Sequence, residues 1–420
     1  MLIATTKTTF VSDAYPCKAL ADVKQASFSS LLDFARWSAA GLVFVAHLRD
    51  PLFLGYRDLP RYSETIPVKV WYFVTGWYYD AVLVFFVLSG FLVGGLSLAR
   101  LAEARYSTAE YAIDRVSRLF LPYVPVLFIT YLLDKAGAVW FAASGLYDHK
   151  QLMLAQKLGD VSFSQHNTIE NLFLNFLMLQ NFHADPLGSN SPLWSLSAEF
   201  WFYVVFGIAM ATLRGPLPRK ILGVLALSLI TLGLGWNFPP LLALWCIGIA
   251  CAYVPSRKHI ERPLIAVSTF ALLLIVSRLY APFLAKALML KYGLDFCAAC
   301  AFGWVLVSMR NVRSSLLARS ANMNRSLASF SYSLYLLHFP LILFMLGAFY
   351  SAGFAGIGRG YLPTDFIGLF IYGAVIVTVY AVSYAFSLLT EGQTGKCRQI
   401  LRTWFDTISI ESGRQPKKTA

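Results

Sequence analysis

Apolar residues in this chain fall into separate, nearly charge-free runs of about 18 to 25, the length a helix needs to cross a hydrocarbon core of roughly 30 Å. In lipid only helices and closed barrels satisfy their own backbone groups, and runs of this length select helices. The expected fold class is therefore all-α: a polytopic transmembrane helical bundle. Composition agrees, with 57% hydrophobic and 14% charged residues and a mean hydropathy of +0.59. Soluble domains carry roughly a quarter of charged residues. About ten spans are expected, near residues 31–48, 72–97, 119–142, 192–213, 220–236, 240–254, 263–281, 292–308, 328–349 and 366–390. A shorter apolar stretch, Ile169 to Phe182, is too short and interrupted for a crossing and reads as interfacial or re-entrant.

Orientation has an independent signal. If the spans alternate, most of the 35 basic residues fall in the N-terminal stretch, the even-numbered connections and the C-terminal stretch. Cytoplasmic connections collect lysine and arginine, so both termini are expected in the cytoplasm. The chain divides into an N-terminal tail (1–30), a membrane domain (31–391) and a C-terminal tail (392–420). No cleavable signal layout precedes Leu31. The net charge of +13 is spread through short connections, which argues for topology rather than nucleic-acid binding. Six scattered cysteines indicate neither a disulfide framework nor a metal site, and the CxxC pair Cys297 and Cys300 reads as small-residue helix packing.

Ionisable groups inside the spans are costly, which makes them functional candidates. The first span contains Arg36 and, eleven residues on, His47. That spacing places both on nearly one helix face, about 16 Å apart along the axis. Read alone, the pair fits either a path lined from both sides or an arginine snorkelling to the inner headgroups with a histidine at the outer interface. Glu199 lies just inside the fourth span, beside Trp194, Ser197 and Tyr203. It reads as a partner for an imidazole, an arginine or an acceptor hydroxyl. His338, ahead of Pro340 in the ninth span, reads as a satisfied core histidine. Arg115 and Arg118 share one helix face at i, i+3 beside the membrane. They suit bidentate phosphate binding or, equally, plain topology and contact with anionic lipid.

These stretches, in this order, resemble the acyltransferase-3 family of membrane-bound acyltransferases, which includes O-acetyltransferases of surface polysaccharides. The resemblance runs from about Leu31 to Glu391. It rests on Arg36 and His47, on FFVLSGFLVG (Phe85 to Gly94), on Arg115 and Arg118 in RVSRLFLPY, on WSLSAEFWFY with Glu199, and on SYSLYLLHFPL with His338. Family members commonly end the last span with a glutamate followed closely by proline. Here Glu391 continues as EGQTGK, which leaves it little weight. The hydrolase-like extracytoplasmic domain of some relatives is not expected.

The resemblance implies acetyl-CoA, or another acyl-CoA, as cytoplasmic donor and a hydroxyl of an extracytoplasmic or lipid-linked glycan as acceptor, in the plasma membrane. It ties Arg36, His47, Arg115 and Arg118 to activity; His47, Arg36 and Glu199 are expected as the catalytic group and Arg115, Arg118 and Ser89 on the donor side, with no metal. Ser89 and Gly90 would let backbone or substrate approach closely. Direct transfer with His47 as general base and an acyl-histidine relay are both open. A transporter or flippase of a lipid-linked sugar or small metabolite is the competing class, since charges in a bundle also mark permeation paths.

Overall fold

A computed structural model of the protein describes residues 25–103, 105–148, 162–213, 215–255, 260–284 and 286–411. Cys17 and most of the N-terminal stretch lie outside these, as do residues 149–161 of the connection 143–191. The described chain is helical: α1 (Ala26–Leu52), α2 (Ile66–Thr75), α3 (Tyr78–Ala102), α4 (Thr108–Trp140), α5 (Ile169–Phe176), α6 (Trp194–Leu213), α7 (Leu217–Leu234), α8 (Phe238–Tyr253), α9 (Pro263–Leu279), α10 (Leu288–Met309), α11 (Ala321–Ala328), α12 (Ser331–Ser351), α13 (Phe366–Leu389) and α14 (Thr394–Glu411). Among the described residues eight helices are long and apolar enough to cross a membrane, and α8 and α9 are shorter apolar helices. A helix stands at each of the ten expected spans of this integral membrane bundle, eight of them long and apolar enough to cross.

Three boundaries moved for local reasons. The stretch read as one span from residue 72 divides at Gly76 and Trp77 into α2 and α3. Helix α4 starts well before residue 119, because Ser107 caps it by accepting from the Glu110 amide, a serine-to-glutamate start. Arg115 and Arg118 therefore sit inside the helix rather than in a loop. Part of the stretch read as a C-terminal tail is α14, which lies against α4 through Arg398 to Asp114 (2.7 Å) and Arg402 to Glu110.

The stretch around and after α5 folds against α4. Gln180 reaches Tyr123 (2.9 Å), halfway along α4, while Asn167 and Ser189 bond Tyr131 and Asp134 closer to that helix's end. The segment thus dips into the bundle and returns to start α6. Its backbone polar groups are taken up inside protein, the condition for irregular chain at membrane depth.

The core has α1 at its centre. One face of α1 packs on α3, which in turn packs on α8 and α10, and the other on α11, α12 and α13. Helices α3 and α8 meet backbone to backbone. A Cβ on Gly90 would stand 1.9 Å from the Trp245 carbonyl oxygen, and one on Gly248 2.1 Å from that of Val87. The glycine in SGF thus serves helix approach, and the chain from Gly90 to Gly95 widens into a π-helical turn. Gly90→Ala is expected to destabilise the bundle by about 1–3 kcal/mol or more, since backbone rather than side chain must yield. Thermal unfolding of the detergent-solubilised variant against wild type checks this.

In CAAC the alanines Ala298 and Ala299 are buried in the packing, and Cys297 and Cys300 face outward. Both ends of the described chain emerge at one end of the bundle. Ser27, at the start of α1, bonds the carbonyl of Ser314 ahead of α11, and Glu391 after α13 bonds Ser333 at the start of α12.

Candidate active site

At that same end a cavity opens between α1, α3, α4, α6 and α12. Arg36, Arg115, Arg118, Glu199 and Ser89 line it, together with Ser195, Tyr203, Tyr332 and Tyr335. Five of the six sequence-predicted site residues therefore share one wall system, although they come from four helices. Arg36 is aimed inward because its neighbour Trp37 is tied to α11 by a bond to Asn324 (3.0 Å), and Asn324 holds Ser30 in turn (2.8 Å).

The cavity is cationic. Arg36 has Asp33 at 3.8 Å, and Arg115 lies over the Tyr203 ring at 5.7 Å. The Arg115 Nε is buried without an acceptor in the protein. Buried donors are normally satisfied, and an arginine with an orphaned N–H beside two further arginines suits an anionic ligand.

Glu199 closes a chain of hydroxyls. The Tyr203 hydroxyl donates to Glu199 Oε1 (2.5 Å), so Ser89 must donate to Tyr203 (3.0 Å), while the Trp245 indole N–H donates to Ser89 (3.1 Å). Every proton in this chain runs toward the carboxylate, which leaves Ser89 without one to offer a ligand. The Tyr203 link, one turn from Glu199, is legible as an i, i+4 pair. Trp245 comes from a different helix and is not.

His47 stands apart from the cavity lining. Its Nδ1 is 2.8 Å from His338 Nε2, and the two rings are parallel to within 3° with centres 5.2 Å apart, edge to edge. His338 is fully buried, and its Nδ1 is 2.8 Å from the Tyr335 carbonyl. A carbonyl only accepts, so His338 Nδ1 carries the proton and its Nε2 accepts from His47 Nδ1. That fixes the neutral His47 with an unprotonated Nε2. His338 is thus a satisfied core histidine, as its sequence context suggested, but what satisfies it is the other imidazole. Tyr335 joins the two places: its ring lines the cavity and lies 5.8 Å from that of His338.

Glu391 accepts from the Ser333 amide (3.0 Å) and hydroxyl (2.7 Å), fixing the helix whose Ser331, Tyr332 and Tyr335 line the cavity. Among the described residues no group of three histidine, cysteine or acidic side chains is placed to hold a metal ion.

A cation-rich cavity inside an apolar bundle, with an imidazole pair beyond it, is the layout of an integral membrane protein with a polar interior site. The chain matches the acyltransferase domain model of the acyltransferase-3 family over residues 30–388 and belongs to that family. It is also similar to the acyltransferase MdmB of Streptomyces mycarofaciens, at 26% identity over 189 residues. That alignment covers 44% of this chain and 40% of the relative's length. No solved structure matches the chain.

Proposed function

We propose that this protein transfers an acyl group, most simply acetyl, from a cytoplasmic acyl-CoA to a hydroxyl of an extracytoplasmic or lipid-linked glycan, acting in the plasma membrane. The observation that carries the reading is the clustering of Arg36, Arg115 and Arg118 about one cavity at the bundle end where α1 begins, with His47 about 16 Å further along α1. The positive-inside pattern supports a cytoplasmic position for that end, the side from which a coenzyme A ester comes.

In this reading the donor's phosphates lie against Arg115 and Arg118, with Arg36 facing the same space. The thioester on its flexible arm is carried past Tyr335 toward the histidines. The acceptor oxygen attacks the thioester carbonyl carbon while His47 Nε2 takes its proton. A C–O bond forms as the C–S bond breaks, and the proton passes on to the leaving thiolate. His338 holds the His47 ring and tautomer, and Glu199 with Tyr203 sets the polarity of the cavity wall.

Membranes containing the protein, given acyl-labelled acyl-CoA and the glycan fraction of the host, are expected to release free coenzyme A and place the label covalently on glycan. Movement of glycan across vesicles with no covalent change would replace this reading by a transporter.

A further inference from the structure

Pro340 sits inside α12, shortly after His338. Proline has no amide hydrogen, so the carbonyl one turn back, that of Leu336, lacks its donor within the helix. Leu336 is fully buried, and a buried carbonyl in a membrane bundle has to be satisfied from elsewhere in the protein. Asn190 supplies the donor. Its Nδ2 donates to the Leu336 oxygen (3.0 Å) and to the Thr130 hydroxyl on α4 (3.0 Å), and the residue is 0% exposed. Turning the amide over would set its oxygen against the Leu336 carbonyl, acceptor against acceptor, so the donor end is fixed.

Two further bonds join the same places. The Tyr335 hydroxyl donates to the Pro192 carbonyl (2.9 Å) and accepts from Ser195 (2.6 Å). The chain leading into α6 therefore grips α12 at Tyr335 and at Leu336. The Tyr335 carbonyl is also the acceptor of the His338 Nδ1 proton, and His338 lies between the gripped residues and the proline. What fixes this turn of α12 fixes where His338 Nε2 stands, and with it the His47 ring.

We propose that Asn190 is a positioning residue for the imidazole pair: it supplies the donor that Pro340 removes and so holds the turn of α12 that aims His338 at His47. The inference rests on the acyl-transfer reading only for its effect on rate.

The first test is of stability, in the detergent-solubilised full-length protein. Asn190→Leu fills a similar volume but cannot donate. It is expected to lower the melting temperature by several degrees in wild type and by clearly less in Pro340→Ala, where position 340 again has an amide hydrogen for the Leu336 carbonyl. Asn190→Ala, which crowds nothing, is the second variant. Equal losses in the two backgrounds overturn the proposal.

The second test reads the imidazoles themselves. The chain has six histidines, and isotope-labelled histidine allows their ring N–H signals to be followed by NMR. A bridging N–H signal absent from both His47→Ala and His338→Ala belongs to the pair. It is expected to shift or vanish in folded Asn190→Leu, and an unchanged signal there leaves Asn190 a stabilising residue only and overturns the positioning role.

The third test is kinetic. Asn190→Leu is expected to lower kcat by roughly 10–10²-fold with the KM for acyl-CoA little changed, and to cost nothing further in His47→Ala, through which it acts. The same proportional loss in both backgrounds overturns the proposal. A wild type that releases no coenzyme A from any acyl-CoA, with the first two results as expected, removes the acyl-transfer reading and leaves the grip of Asn190 on the imidazole pair standing.

Discussion

His47→Ala is expected to lower acyl transfer by roughly 10²–10⁴-fold, the usual contribution of a positioned general base, while the protein still inserts and folds. That corresponds to about 3–5 kcal/mol of barrier. The expectation follows from proton placement. Tyr335 O orients His338, His338 orients His47, and the one ring nitrogen of the pair left with a free lone pair is His47 Nε2. In the alanine variant the His338 Nε2 loses its donor, which costs about 1–3 kcal/mol of stability. Melting should therefore be followed beside activity. His338→Ala removes the orienting partner but not the base, so its rate should fall less than that of His47→Ala. Near-normal turnover of a folded His47→Ala protein would exclude the base role.

How much of this was written in the sequence depends on the range of the signal. Span positions were legible because lipid imposes a length and a composition on each crossing independently of its neighbours. The i, i+3 arginines and the Arg36-to-His47 spacing were legible because helix periodicity alone sets them. The partnership of His47 with His338 joins residues 291 apart in sequence and exists only once α12 packs on α1, so local context could supply no more than a satisfied core histidine. The same holds for Glu391, whose altered motif hid its bond to Ser333. Gly90 was noticed but could have served substrate or backbone, and only its carbonyl neighbour on α8 decides between them.

Changing Arg115 and Arg118 together to alanine is expected to raise the KM for acyl-CoA by roughly 10²-fold or more, with the KM for acceptor little changed. Each charge-assisted bond to a phosphate contributes about 1.5–3 kcal/mol, and two cations on one ligand do not add simply. Arg115 should matter more, since it is half-buried over Tyr203 with a donor nitrogen unpaired, whereas Arg118 is exposed. Arg115→Lys keeps the charge but loses the planar fork, so it should recover only part of the affinity. Plain topology or lipid contact predicts something different: a defect in insertion, an unchanged KM in whatever protein inserts, and equal behaviour of lysine and arginine. A donor shortened by its 3′-phosphate separates the two arginines from other contacts. If the pair grips that phosphate, wild type should lose affinity for the shortened donor and the double variant should not, because the interaction it would miss has already been removed. If the pair grips the diphosphate instead, both proteins should lose affinity by the same factor.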